Sequence, residues 1–346
     1  MRTLFAVAGN LIALAAGFGL LARYVSPQIF WPPAIIALLL PVLLLMLAVF
    51  IIIQLSRRRW QSLVLPVIVM VVSVPILGRL FPWPSSDTTP PSASDDTVTL
   101  VTGNQRMFRN SEGRDMDDET VQSFISSLKA DVLMLQEIWP DRRKHSYIDA
   151  IQSGSQLRDR HQRDNTMVAT YANKITETAD YFDGSQYHVI LLTDVRTDIG
   201  TIRVINTHMQ SNKISGMAEG IRGEESVKEQ VTTFGQMLAG YGRTTRRRAT
   251  QAEKIRRLVE ESPYPVVLGG DFNDVPSSYA YYVALSPRLK DAWVERGSGL
   301  GATFTGPLPG LRIDYFMVDT SLQVQAIDRV NSPWSDHRAL RVKLTK

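Results

Sequence analysis

The sequence predicts a mixed-sheet domain of the α/β (α+β) class, carried behind three membrane helices. Three observations predict it. Residues 1–84 are overwhelmingly apolar and contain no Asp or Glu. The remainder carries short β-branched runs that read as strands. Helical patterns lie between several of these runs without regular strand–helix alternation, which disfavours a doubly wound parallel sheet.

The anchor is expected to occupy residues 1–84, with helices at Leu4–Leu21, Ala34–Ile53 and Leu63–Leu80. Each run comes close to the ~20 apolar residues that a helix needs to cross a hydrocarbon core about 30 Å thick. Pro41, Pro66 and Pro75 fall inside the runs, which membrane helices tolerate better than soluble ones. Tyr24, Phe30, Trp31, Trp60 and Trp83 flank them, where an interfacial aromatic belt belongs. A cleaved signal peptide would explain one short apolar run rather than three. A re-entrant hairpin is the other arrangement open. Arg57, Arg58 and Arg59 separate the second and third runs, so that loop is expected in the cytoplasm, with Arg23 a dissenter in the outer loop. Three crossings then put the chain from residue 85 onward on the extracytoplasmic side, the periplasm in a bacterium.

The formal charge of +4 is uneven. Residues 85–346 hold 32 of the 38 basic residues against all 34 acidic ones, a net of −2. The basic balance therefore belongs to the anchor and is no footprint of nonspecific nucleic-acid binding. With no cysteine, disulfides and thiolate metal sites are excluded.

Residues 85–96, rich in Pro, Ser and Asp, read as a polar linker, and 97–346 as the soluble domain. Strands are expected at Val98–Val101, Val132–Leu135, Val189–Leu192, Ile202–Ile205, Val266–Leu268, Tyr315–Val318 and Ala339–Leu344. Asp118–Lys129 reads as a helix, with Val121, Phe124, Ile125 and Leu128 on one face and acidic residues in its first turn. Two further helical patterns cover Met217–Tyr241 and Thr245–Glu261.

Residues able to hold a metal or move protons stand just past several strands. They are Asn104, Glu137, His208, Asp271 with Asn273, Asp314, and Asp336 with His337. Singly, each has a plain reading. Asp or Asn after a strand is commonly a turn former, and Gly269-Gly270-Asp271 could be a tight turn. Together they supply what phosphoester hydrolysis needs. A hard cation such as Mg²⁺ takes oxygen ligands and usually one or two carboxylates; Glu137 fits, with Asn104 or Asp336 assisting. Asp271 and Asn273, two residues apart at a strand end, can point into one pocket and handle a water. Two imidazoles can donate to developing phosphoryl charge, and Asp314 is a candidate to orient His337 or His208.

The ordered motifs resemble the endonuclease/exonuclease/phosphatase superfamily over roughly residues 97–346. Gln136-Glu137, Asn206-Thr207-His208, Gly270-Asp271-Phe272-Asn273, Ile313-Asp314-Tyr315 and Ser335-Asp336-His337 each match a motif of that family, in its order. Asn104 stands where the family has an Asn after its first strand. The resemblance implies a four-layer sandwich of two mixed β-sheets flanked by helices, with Mg²⁺ or Mn²⁺ as cofactor. It implies Glu137 as principal metal ligand, Asp271 as base or water positioner and Asn273 as a phosphate contact. His337, paired with Asp314, would face the scissile phosphate with His208 alongside.

Two features depart from the family pattern. The stretch Thr166–Ile175 lacks the Pro of the corresponding family strand, so the carboxylate partner of His208 is unplaced, with Glu177, Asp180 and Asp183 nearby. The span Gln210–Pro265 is long, and Arg243, Arg246, Arg247, Arg248, Arg256 and Arg257 make its second helix basic. That helix is either a solvated face or a contact for anionic headgroups or substrate phosphates. The functional expectation is a membrane-anchored phosphodiesterase acting on an extracytoplasmic nucleic acid or a phospholipid or sphingolipid headgroup. The competing class is a non-catalytic membrane-tethered binding module. A decayed enzyme should have lost one of Glu137, Asp271, Asn273, Asp336 or His337, and all are present.

Overall fold

The computed structural model describes residues 2–83, 96–139, 146–182, 184–212, 227–306 and 310–346. The expected linker lies outside the described residues apart from Asp96. Contacts divide the chain into two compact units. One comprises Met1–Phe81, Asn212–Glu253 and Asp274–Ala284; the other comprises Pro82–Ser211, Lys254–Asn273 and Leu285–Lys346.

The first unit holds the apolar helices α1 (Arg2–Leu20), α2 (Pro33–Ser56) and α3 (Val64–Leu80). Ala13, Ala16, Leu40, Leu44, Leu47, Val69 and Ile76 form their shared cluster. Two of the three expected spans, Leu4–Arg23 and Pro33–Ser56, are long and apolar enough to cross a membrane. The third is corrected: α3 has 17 residues, about 26 Å at 1.5 Å per residue. It is shortened because Trp60–Ser62 makes a separate turn before it and Phe81 leaves helical geometry after it.

The two patterns expected at 217–241 and 245–261 are one helix of 34 residues, Val227–Glu260, with residues 217–226 outside the described set. No break occurs between them because Gly242, Arg243 and Thr244 stay helical, and Thr245 Oγ bonds the Tyr241 carbonyl at 2.7 Å.

The second unit is an α/β sandwich of two mixed sheets flanked by helices. Its strands are β1 (Val98–Asn104), β2 (Val132–Gln136), β3 (Asp159–His161), β4 (Val168–Ala172), β5 (Ile175–Phe182) and β6 (Val189–Thr197). They continue with β7 (Gly200–His208), β8 (Val266–Asp271), β9 (Leu289–Asp291), β10 (Asp314–Asp319), β11 (Gln323–Asn331) and β12 (Arg338–Thr345). One sheet runs β11-β12-β1-β2-β4-β3 and the other β5-β6-β7-β8-β10-β9. The β1–β2 and β7–β8 pairs are parallel and the remainder antiparallel.

Strand alternation separates two cores. Val98, Leu100, Val132 and Met134 face Val204, Val267, Phe316 and Val318 of the other sheet. Val101, Leu133 and Leu135 point the opposite way, into a cluster with Val121, Ile125 and Leu128. Those last three lie on α4 (Asp118–Leu128). Its N-cap Asp117 accepts the Thr120 N–H, and left-handed Lys129 (φ 49°) ends it.

Candidate active site

Strand register assembles the site. His208 ends β7 and Asp271 ends β8, and the two are direct partners in the parallel pair. On the other side of β8, Asp271 is also the partner of Asp314, the first residue of β10. Asn104 ends β1 opposite Gln136, so Glu137 follows at the matching edge of the first sheet. Residues far apart in sequence thus meet because parallel strands deliver their C-terminal ends to one edge.

Two of these residues hold left-handed backbone. Glu137 and Asn273 both have φ of 52°, a region that non-glycine residues enter rarely and that clusters at functional sites. Gly270, with φ of 136°, lies so close to β7 that an added Cβ would stand 1.9 Å from the Thr207 carbonyl oxygen. The Gly-Gly-Asp stretch is therefore strand rather than tight turn, and glycine lets β8 approach β7 beside the reacting groups.

Asn104 Nδ2 donates to Glu137 Oε1 at 3.0 Å and to Asp271 Oδ2 at 3.1 Å, while its Oδ1 accepts the Arg106 N–H. The Asn104 amide thus bridges the Glu137 and Asp271 carboxylates. Asp271 Oδ1 accepts the Asn273 N–H at 2.8 Å, and Asn273 Nδ2 donates to the Met209 carbonyl. Asp336 stands apart from the other expected ligands. Its carbonyl accepts from the Thr305 N–H and hydroxyl, and among the described residues its carboxylate makes no hydrogen bond or ion pair.

The two histidines differ. His337 Nδ1 lies 3.0 Å from Asp314 Oδ2, and its Nε2 is 3.9 Å from Asp271 Oδ2. Burial alone would lower its pKa, but the charges of Asp314 and Asp271 outweigh that and push it up to about 10. His208 is 2 % exposed, and neither ring nitrogen has a hydrogen-bond partner. Its Nε2 faces Asp271 Oδ2 at 3.6 Å and Glu137 Oε1 at 3.8 Å. Of the carboxylates expected to pair with it, Asp180 pairs with Arg163, Glu177 is exposed, and Asp183 lies outside the described residues. The Asp271 carboxyl is held above the usual carboxylate range by burial and by Asp314, against the opposing pull of His337, His208 and Asn104.

Asp271, Asp314 and His337 offer ligand atoms within 4.8 Å of one another. Within this group His337 Nδ1 is paired with Asp314 Oδ2 at 3.0 Å. The partly exposed Glu137 adds a carboxylate oxygen of the kind that suits a hard divalent cation.

Several supporting residues were not assigned a role from sequence, although Gln136, Asn206 and Ser335 lie in the matched motifs. Gln136 Nε2 donates to Asn206 Oδ1 at 2.7 Å, and Asn206 Nδ2 to the Ala169 carbonyl, so both tie the two sheets together under the site. Ser335 Oγ donates to the Asn104 carbonyl and accepts the His337 N–H. Thr303 Oγ1 accepts the backbone N–H groups of Ile313 and Asp314.

Residues 101–337 match the family described as the endonuclease/exonuclease/phosphatase family, and residues 2–80 match one described as a domain of unknown function. No curated protein matches the chain. Among solved structures, a humanized D. rerio TDP2 is 14 % identical with a TM-score of 0.51, covering 72 % of this chain and 99 % of its own. An endonuclease/exonuclease/phosphatase family protein from Leptotrichia buccalis is 17 % identical with a TM-score of 0.50, covering 72 % and 100 %. D. rerio TDP2 complexed with single-strand DNA product is 14 % identical with a TM-score of 0.50, covering 73 % and 100 %. At these identities the likeness is one of fold.

Proposed function

The chain belongs to the endonuclease/exonuclease/phosphatase family, and we propose that it is a membrane-anchored, divalent-metal-dependent phosphodiesterase. The observation that carries this reading is the unpartnered, buried His208 aimed at Glu137 and Asp271, beside a His337 locked to Asp314. Leaving two ring nitrogens unsatisfied in the interior is costly, and a phosphoryl oxygen at that place would relieve the cost.

Asp271 takes the proton from the attacking water, and its raised basicity suits that task at neutral pH. The water oxygen bonds to phosphorus as the bond to the leaving oxygen breaks. His337, kept cationic by Asp314, donates to the charge that grows on the phosphoryl oxygens. His208 offers a second donor, and Asn273 orients Asp271 through its backbone N–H. Glu137 would hold the Mg²⁺ or Mn²⁺, which when bound polarises the phosphoryl group. Asn104 holds Glu137 and Asp271 at a fixed separation.

The two long apolar helices support an integral anchor. A signal sequence passes the same test of length, but these helices share a core with each other and with α3. The orientation reading rests on Arg57–Arg59. At the opposite end of the helices, Gln28 bonds Thr250, Tyr24 stacks on Tyr282, and Arg79 lies over Tyr281. An extracytoplasmic catalytic domain then requires that the shorter α3 also crosses. Reporter fusions after Trp60 and Ser94 should read cytoplasmic and extracytoplasmic respectively, and a Ser94 fusion active only in the cytoplasm contradicts the orientation.

Nucleic acid is the first substrate class to test, because a structure of the same fold carries a single-strand DNA product; lipid headgroups come second. The full chain with Mg²⁺ should be screened on DNA, RNA, phospholipids, sphingomyelin and inositol phosphates. Hydrolysis of one class, abolished by a chelator, is expected. Full activity in excess chelator, or hydrolysis of none, contradicts the reading.

A further inference from the structure

Pro41 sits inside α2 and has no N–H, so the Ala37 carbonyl one turn earlier loses its intrahelical donor. In an apolar helix such a carbonyl needs a partner from elsewhere. Ser277 supplies it: its Oγ donates to the Ala37 carbonyl at 2.8 Å, with Ser277 2 % and Ala37 0 % exposed. One turn nearer the start of α2, the buried Tyr241 hydroxyl donates to the Ala34 carbonyl at 3.1 Å. Burial pushes its phenol pKa up, so it remains a donor.

A second device grips the same segment. Arg248, read from sequence as part of a basic helix face, is fully buried. Its Nε bonds Asp274 Oδ2 at 2.8 Å, and its Nη1 donates to Asn212 Oδ1. Asp274 is the next residue after Asn273, and Asn212 lies four residues beyond His208. One guanidinium therefore holds together the two chain segments that leave the strand ends bearing Asp271 and His208. A buried ion pair is weak evidence of stability and is better read as fixing geometry.

We propose that the N-terminal helices are part of the catalytic apparatus, pinning the segment that continues from Asp271 and Asn273, with Ser277 and Arg248 as positioning residues. This gives a task to residues 2–80, which match only a domain of unknown function. It rests on the hydrolase reading for its kinetic consequence, though not for the pinning itself. The anchor is then more than a tether, since loss of its hold on residues 274–284 would let the water-handling pair drift. Misplacement of about 1 Å in a catalytic group costs up to ~10²-fold in rate.

The test uses the full chain in detergent, with Mg²⁺ and bis(p-nitrophenyl) phosphate as a plain phosphodiester probe. Hydrogen–deuterium exchange over residues 270–284 is read in parallel. Ser277→Ala should speed exchange there by about ten-fold, as local opening becomes easier, and lower kcat by about ten-fold with KM little changed. Pro41→Ala restores an N–H for the Ala37 carbonyl. In that background Ser277→Ala should add little to either readout, because the carbonyl no longer depends on Ser277. Arg248→Lys, which keeps charge without the fork, should resemble Ser277→Ala. Equal effects of Ser277→Ala in both backgrounds, or faster exchange with unchanged kcat, would overturn the proposal. A wild-type chain inactive on the probe under every metal condition counts against the hydrolase reading, while the exchange experiment still decides whether Ser277 pins the segment.

Discussion

The site contains two buried histidines on opposite sides of Asp271, and they are built in opposite ways. His337 is held by Asp314 at 3.0 Å and kept protonated by surrounding carboxylates. His208 has no hydrogen bond at either nitrogen, although it is more deeply buried. A group whose partner belongs to the protein has its charge and orientation fixed before substrate arrives. A group without one carries a desolvation cost that substrate can relieve. In the proposed reaction, His337 would supply a fixed charge and His208 an open binding position.

Between the two histidines, the largest expected effect comes from removing the fixed side. His337→Ala should lower kcat by about 10²–10³-fold, in line with loss of one transition-state donor, with a smaller change in KM. A loss confined to KM would mean that His337 only binds substrate.

Asp314→Asn probes what keeps that side fixed. The raised His337 pKa means that its stabilising charge is complete below about pH 6.5, its ordinary value. It is lost as pH rises through about 10. Asp314→Asn removes the chief cause of the rise, so the alkaline limb of the kcat profile should move toward neutral pH. An unmoved limb would show that Asp314 does not hold the proton.

His208→Asn should have the smallest effect, about ten-fold in rate through loss of the imidazole contact, and should leave the alkaline limb in place. A shifted limb would mean that the two histidines titrate together and the contrast between them fails.

The fold was legible where strands are internal. The runs beginning at Val98, Val132, Val189, Ile202, Val266, Tyr315 and Ala339 all form strands. The four edge strands β3, β5, β9 and β11 gave no such signal. In β11 only Val324 and Ile327 are buried, three positions apart across a register shift, and β5 reads Ile-Thr-Glu-Thr-Ala-Asp-Tyr-Phe. Edges carry polar residues because a plain apolar edge invites pairing with another chain, and that erases the pattern a sequence reader relies on. Internal β4 was missed because Val-Ala-Thr-Tyr-Ala lacks the apolar run that marks the equally short β2, Val-Leu-Met-Leu-Gln.

The site residues were legible through their motifs, but their arrangement was not. Sequence offered Asn104 and Asp336 as metal ligands. What sequence did not show is that Asn104 stands as a donor between two carboxylates, or that the Asp336 carboxylate makes no hydrogen bond or ion pair among the described residues. Arg248 looked like one more solvated charge, since nothing in a helix of many arginines marks the single one that turns inward.

A metal titration of Asp271→Asn and Glu137→Gln on one cleaved substrate tests the central division of labour most directly. Asp271→Asn should lose about 10²–10⁴ in rate, the scale of general-base action, and stay low at any Mg²⁺ concentration. Glu137→Gln weakens a hard-cation ligand, so part of its loss should return as Mg²⁺ rises. Recovery of Asp271→Asn by metal, with Glu137→Gln unresponsive, would reverse the two roles and contradict the account.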